Sequence, residues 1–156
     1  MSQALEGQAR WGVVAGVMLT ALLEVLDTTV VNVALPHMMG SFGASPDQIT
    51  WLITSYLIST AIVMPLTGYL VSRFGRRRVL VTGIVGFLVM SAACGLSWSL
   101  SSMVAFRFLQ GGFGAVLVPI SQTILLGAFP REKRNQAMAI WGLAIMVAPV
   151  MGPVIG

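Results

Sequence analysis

The sequence predicts an all-α integral membrane protein, the N-terminal part of a larger bundle, with about five transmembrane helices. Three observations carry that prediction. Hydrophobic residues make up 56% of the 156-residue chain and charged residues 9%, and the mean hydropathy is +0.89, far from a soluble domain. Five apolar runs approach the roughly 20 residues that a spanning helix needs. Lysine and arginine collect in alternate connections between those runs.

The runs cover residues 11–35, 51–71, 79–97, 103–129 and 137–156. Backbone groups in hydrocarbon must be satisfied within the segment, so each run reads as a helix. The first begins after MSQALEGQAR and is too long, and too acidic, for the apolar core of a secretory signal. RFGRRR (Arg73 to Arg78) separates the second and third runs and REKR (Arg131 to Arg134) the fourth and fifth, whereas the other two connections hold no Lys or Arg. The positive-inside rule therefore puts both basic loops, and the N-terminus with Arg10, in the cytoplasm. Gly156 falls where the fifth helix should reach the outer surface, so the chain is expected to be incomplete at its C-terminus.

The net charge of +4 comes from few residues in short clusters. It suits orientation in a membrane better than a polyanion groove, and no nucleic-acid partner is predicted. The single cysteine, Cys94, permits no internal disulfide and reads as packing. His37, just after Pro36, reads as a solvated side chain in an outer loop. No metal-ligand, phosphate-loop, nucleophile or nucleotide motif is present, so the sequence predicts no metal, no cofactor and no enzyme, and argues against an ATP-driven pump.

The first run contains LEVLDTTVVNVALP, with Glu24 and Asp27 in the middle of an apolar segment. Three residues apart on a helix, the two acids share a face. Thr20, Glu24, Thr28 and Asn32 form a row at spacing four, with Asp27 beside it. At about 1.5 Å per residue, Glu24 and Asp27 lie roughly 20 and 24 Å from Trp11, near or just outside the bilayer midplane. Their short side chains cannot snorkel from there. One reading makes them neutral, hydrogen-bonded helix glue; the other makes them part of a substrate or proton path, the usual role of intramembrane ionisable groups. Burial and a nearby cation act on a carboxyl's protonation in opposite senses, so a group held between them can change state.

Arg107 is the candidate cation. It enters the fourth run from the outer side, roughly 7 Å below that surface, within side-chain reach of Asp27. Arg107, Gln110, Gly111 and Gly114 share one helix face, so the charged face is also a small-residue face where another backbone can approach. In the fifth run Ala144, Ala148, Gly152 and Gly156 form a second small-residue stripe, and Pro149 and Pro153 beside it favour bending.

Four motifs give the chain a resemblance to the major facilitator superfamily, and within it to the fourteen-span drug:proton antiporters of the EmrB/QacA type, along essentially the whole length. LDTTVVNVALP is similar to the first-span motif of fourteen-span exporters. GYLVSRFGRRR, with Gly68, Arg73, Gly75, Arg76 and Arg77, resembles the superfamily's cytoplasmic loop motif, except that Ser72 stands where an acid is common. That departure puts in doubt any latch built on the carboxylate. FRFLQGGFGAVLVP is similar to the span-four motif whose arginine is implicated in proton coupling, and APVMGPVIG, with Ala148, Pro149, Gly152, Pro153 and Gly156, to the antiporter motif.

Bottom-up, the loop GYLVSRFGRRR should turn tightly at Gly75 and lay arginines against the cytoplasmic ends of neighbouring helices, where cations suit helix C-termini and anionic lipid. The resemblance implies a multi-pass exporter of the cytoplasmic (inner) membrane that exchanges protons for lipophilic or cationic compounds by alternating access. Asp27 would carry the proton, Glu24 would assist it or attract a cationic substrate, and Arg107 would tune both. A periplasmic adaptor and outer-membrane channel are permitted partners. Trp51, Tyr56, Met64, Pro65 and Met146 are candidates for lining an apolar cavity. Two alternatives stay open: a truncated or regulatory bundle that does not transport, and a nutrient uptake carrier, which the antiporter motif disfavours.

Overall fold

A computed structural model of the chain describes residues 2–155, with side chains at 11–147, 149 and 150. These residues form seven α-helices, with no strand among them: α1 (Ser2–Phe42), α2 (Pro46–Val63), α3 (Thr67–Phe74), α4 (Arg76–Gly95), α5 (Leu100–Gly114), α6 (Leu117–Ala128) and α7 (Arg134–Ile155). Short 3₁₀ turns at Met64–Leu66 and Arg131–Lys133 complete the path. Among the described residues, four helical stretches are long and apolar enough to cross a membrane: Trp11–Phe42, Pro46–Phe74, Arg76–Gly95 and Leu100–Ala128. Large apolar side chains such as Leu57, Ile58, Val81, Val85, Leu88 and Val89 point outward. A surface so apolar is made for lipid.

The spans differ from their sequence boundaries at the prolines. α1 runs through Pro36 to Phe42, seven residues beyond the expected end, because loss of one N–H at Pro36 does not stop a helix packed along its length. His37 is accordingly helical and exposed, its carbonyl accepting from Ser41 Oγ at 3.1 Å, and does not lie in a loop. The second span tightens into the 3₁₀ turn at Met64–Leu66, where the Pro65 ring crowds the carbonyl four residues back. The fourth span, expected as one helix, is two. Pro119 cannot donate to the Ala115 carbonyl, and the helix is interrupted at Ala115 and Val116 before Ile120 N–H bonds Val116 O at 3.2 Å.

The outer connections are short and capped. Ser45 and Ser99 each form a capping box, with Gln48 and Ser102 respectively, which satisfies amide groups otherwise left open at a helix start. On the opposite side, the connection between α3 and α4 is Gly75 alone, with φ +85° and ψ 145°, a conformation that only glycine adopts readily. The tight turn is therefore present. Arg73 lies in the last turn of α3, favourable for a cation, and Arg76, Arg77 and Arg78 open α4 at its N-terminus, where the dipole of their own helix disfavours them. All four are exposed. Ser72 bonds back to Tyr69 O at 2.8 Å and contacts no neighbouring helix through that hydroxyl.

Packing follows two seams. α5 lies against α2 and α4, and α1 lies against α6 and α7. Hydrocarbon solvates leucine as well as protein does, so helix association depends on close backbone approach. Gly111 supplies it: a Cβ there would collide with the backbone carbonyl of Tyr56. Gly83 and Gly86 do the same for α4, where a Cβ would strike Val116 and Phe113. The Ser55 hydroxyl proton is shared between Val104 O at 3.3 Å and Leu52 O at 3.4 Å, and that of Thr60 between Tyr56 O at 2.9 Å and Gly111 O at 3.2 Å. Such bonds contribute only about 0.6 kcal/mol each in a membrane, so glycine contact sets the α2–α5 separation and the hydroxyls fix its register.

Candidate functional site

The α2–α5 seam carries the charged face of α5 towards α1. Asp27 lies about 24 Å along the axis from Trp11 and about 22 Å from Phe42, at the middle of the apolar Trp11–Phe42 stretch. Arg107 Nη1 donates to Asp27 Oδ2 at 2.6 Å and to Gln110 Oε1 at 2.7 Å. Gln110 Nε2 donates in turn to Asp27 Oδ1 at 2.9 Å. The three side chains close a ring. Arg107 is 2% exposed, Gln110 0% and Asp27 15%, so the ion pair lies in protein interior with its carboxylate closest to the surface.

An ion pair at that depth requires that both oxygens and the guanidinium find partners, since removing charges from water costs several kcal/mol per ion. Gln110 completes the account for Asp27. Tyr56 contributes from the third side: the guanidinium carbon sits 4.5 Å from its ring centroid, within cation–π range. Both of the Arg107 hydrogen bonds come from Nη1, whereas buried Arg107 Nε has no hydrogen-bond partner. The Cys94 thiol donates to Gln110 Oε1 at 3.8 Å. Cys94 is thus more than the inert packing expected of it.

Glu24 occupies a different situation. It is half-buried and electrostatically close to Asp27 and to the Tyr56 hydroxyl, yet neither Glu24 Oε2 nor Tyr56 Oη has a hydrogen bond of good geometry. The rest of the polar stripe turns inward on its own helix. Thr20 bonds to Gly16 O at 2.8 Å, Thr28 and Thr29 to Val25 O at 2.9 and 2.8 Å, and Asn32 is exposed. Thr20 is buried as well, but its hydroxyl is spent on its own helix, and of the stripe Asp27 makes side-chain bonds to another helix.

The expected span-four constellation is assembled as read: Arg107, Gln110, Gly111 and Gly114 are all buried on one face. The cavity-lining candidates divide. Trp51, Met64, Pro65 and Met146 are exposed, Met146 to 73%, whereas Tyr56, at 4%, packs into the charged cluster. A groove of about 650 Å³ between α2–α3, α4 and α5 is lined by Val63, Phe74, Arg78, Phe108 and Phe113 among others. None of the five candidates lines it. Met64 borders a smaller groove of about 280 Å³ with Gly68 and Arg76.

Tyr56 is the side chain of the charged cluster that its residue type alone undersold. Depth arithmetic gives the missing signal: Tyr56 lies about 15 Å into its span from Pro46 and Arg107 about 11 Å into its own from Leu100, so both reach the same level from the same side. On α7, Pro149 is exposed. Ala148, Gly152, Pro153 and Gly156, like Arg10, lie outside the residues whose side chains are described. Among the described residues no cluster of His, Cys, Asp and Glu could hold a metal ion.

Comparison with known proteins places this arrangement. The chain is 41% identical over 152 residues to the fatty acid resistance protein FarB of Neisseria gonorrhoeae, an alignment that covers 97% of this chain and 30% of the relative. It is 43% identical to the multidrug export protein EmrB of Haemophilus influenzae and 41% to that of Escherichia coli K12, each over 138 residues, 88% of this chain and 27% of the relative. The chain thus spans less than a third of the length of these curated relatives. The family model described as Major Facilitator Superfamily matches residues 17–156, which include α1 from Val17 onward, the charged ring and the glycine seams. This all-α, multi-pass membrane chain therefore belongs to the Major Facilitator Superfamily, with its similarity running to transporters of the EmrB type.

Proposed function

We propose that the chain forms the N-terminal five spans of a proton-coupled exporter of lipophilic or cationic compounds in the cytoplasmic (inner) membrane. The observation that supports it most is the buried ring of Asp27, Arg107 and Gln110 at the centre of the first span. Relatives named for multidrug export and fatty acid resistance support the transport of apolar small molecules. The fifth span is α7, and the basic ends at Arg73–Arg78 and Arg131–Arg134 face the cytoplasm with the N-terminus, as the positive-inside rule requires.

In this reading Asp27 carries the coupling proton. Ionised, it holds Arg107 and Gln110 against α1; protonated, it loses its Coulombic attraction for Arg107 and keeps only hydrogen bonds. The guanidinium stays charged in both states. It is then free to shift within the space between Tyr56 and Gln110, and α1 is released relative to α5. Rocking of two halves about a midplane site converts that release into alternating access. A membrane potential of 100 mV contributes about 2.3 kcal/mol for each net charge that moves inward, enough to drive export without a pH gradient.

The other motifs take supporting roles. Gly68, Arg73, Gly75, Arg76 and Arg77 form the cytoplasmic turn that meets lipid and the rest of the transporter. Ala148, Pro149, Gly152, Pro153 and Gly156 form the bending, close-packing surface of α7 that seals against ion leak. A periplasmic adaptor and outer-membrane channel are partners of the assembled exporter.

Proteoliposomes holding the full-length protein test the proposal. An imposed proton gradient is expected to drive accumulation of a lipophilic cation against its concentration, with a matching proton flux in the opposite direction. Transport that proceeds equally after both the pH gradient and the potential are collapsed would contradict it.

A further inference from the structure

The second, third and fourth spans carry cations and no anion of their own. No Asp or Glu occurs between Asp47 and Glu132, whereas Arg73, Arg76, Arg77 and Arg78 gather around the Gly75 turn, all exposed. Arg107, the remaining arginine of these helices, is committed to Asp27 in the one ion pair among the described residues. The charge that balances the four arginines therefore comes from outside these helices.

Arg78 differs from its neighbours in what lies behind it. α2 and α4 both pack on α5 and have no seam with each other, and the gap between them is the groove of about 650 Å³, which Arg78 lines at its basic end. Its floor is α5 at Gly112, where an added Cβ would lie 3.7 Å from Val63. Its walls are apolar, and Phe74 and Phe108 remain 54% and 41% exposed along it. From Phe74 to Ser59 the groove follows the second span for about 22 Å. One leaflet of hydrocarbon is about 15 Å deep, so the groove runs the depth of a leaflet and ends at a cation.

We propose that this groove holds one acyl chain of an anionic phospholipid, drawn from the leaflet at the basic end, with the lipid phosphate on Arg78. The guanidinium offers a phosphate paired N–H donors, and the head supplies the negative charge that these spans lack. Spread over its length, the groove has a mean cross-section of about 30 Å², too narrow for a helix about 10 Å across. A lipophilic cation is repelled by the arginines at the mouth, and a soluble anion gains nothing from the apolar walls. The site lies on the far side of α2 from the turn's smaller groove at Arg76, and its lipid is a bound component, independent of what the protein exports.

Lipid retention tests the site. Full-length protein, solubilised in detergent and held on affinity resin, is equilibrated with radiolabelled phosphatidylglycerol or phosphatidylcholine of the same acyl chains, and the lipid kept per protein is counted. Wild type is expected to prefer phosphatidylglycerol about fivefold, the scale of one arginine at an anionic head. Arg78→Gln should bring that ratio close to one, and Arg131→Gln, in the other basic connection, should keep it. Thr82→Trp, which fills the groove from its exposed position on α4, should reduce retention of both lipids. The two glutamine variants leave helix packing untouched and carry the test if Thr82→Trp does not fold. Equal retention of the two lipids by wild type, the result if another span of the full-length protein covers the groove, overturns the site. Equal loss of preference in Arg78→Gln and Arg131→Gln overturns it too, by assigning the preference to surface charge at large. Proton-coupled export stands or falls separately from either result.

Discussion

Arg107 Nη1 lies 2.6 Å from Asp27 Oδ2, joining residues 80 positions apart in sequence across the middle of the bundle. Hydrocarbon at this depth solvates neither charge, so each is the other's solvent. The pair links α1, which is packed on α6 and α7, to α5, which is packed on α2 and α4. With the Gln110–Asp27 bond beside it, it is a polar connection between the two seams of the fold.

Truncation of the cation should therefore be felt by both seams. Arg107→Ala leaves Asp27 with one donor and an empty volume, and is expected to destabilise the protein by about 3 kcal/mol, the scale of a buried pair broken on one side. Arg107→Lys keeps the charge but cannot bond Asp27 and Gln110 while stacking on Tyr56. It should recover part of the stability and little of the coupling. Thermal unfolding of the detergent-solubilised full-length variants would separate these outcomes; equal loss in the two would show that charge alone is not what the site needs.

The α2–α5 seam is predicted to be steeply sensitive at one glycine and mildly so at its neighbour. A Cβ at Gly111 meets the Tyr56 backbone carbonyl, which cannot yield, whereas one at Gly112 meets Ser59 Oγ at 3.0 Å, a side chain that can rotate. Gly111→Ala is expected to cost about 2 kcal/mol, in the range of overpacked cores, and Gly112→Ala well under half of that. The yield of monodisperse protein and its unfolding midpoint read the difference.

A third prediction concerns the cytoplasmic turn. At φ +85° an alanine in place of Gly75 is strained by about 2 kcal/mol. Gly68, in the same motif, has ordinary backbone angles, and a Cβ added there would meet nothing within 4 Å, so Gly68→Ala should leave the unfolding midpoint unchanged or slightly raised. Equal destabilisation by the two substitutions would mean that the turn is not shaped as described.

Much of this was legible because membrane helices have a fixed rise and a fixed need for apolar length. The depth of Arg107 and Asp27 follows from residue counts, and the buried face of α5 from the spacing of Arg107, Gln110, Gly111 and Gly114. The prolines are less legible, because the same residue is absorbed at Pro36, tightens the helix at Pro65 and interrupts it at Pro119. Neighbouring packing decides among those outcomes, and no local pattern records it. That Arg76, Arg77 and Arg78 are themselves helical is not written in the motif; a one-residue turn at Gly75 leaves no loop to hold them. Tyr56, expected among residues lining an apolar cavity, instead stacks on Arg107, a placement that emerges only when its level is matched to that of Arg107.

The central claim, that Asp27 carries the coupling proton, is tested most directly by proton release on substrate binding. Full-length protein in weakly buffered detergent solution is mixed with a saturating lipophilic cation, and the pH change is read with an indicator dye; Asp27→Asn is compared with wild type. Counterflow exchange in proteoliposomes confirms that the variant folds and still binds. Wild type should release protons on binding and Asp27→Asn should release none, with exchange retained and uphill efflux lost. Proton release of wild-type size from Asp27→Asn, with uphill efflux intact, would contradict the account.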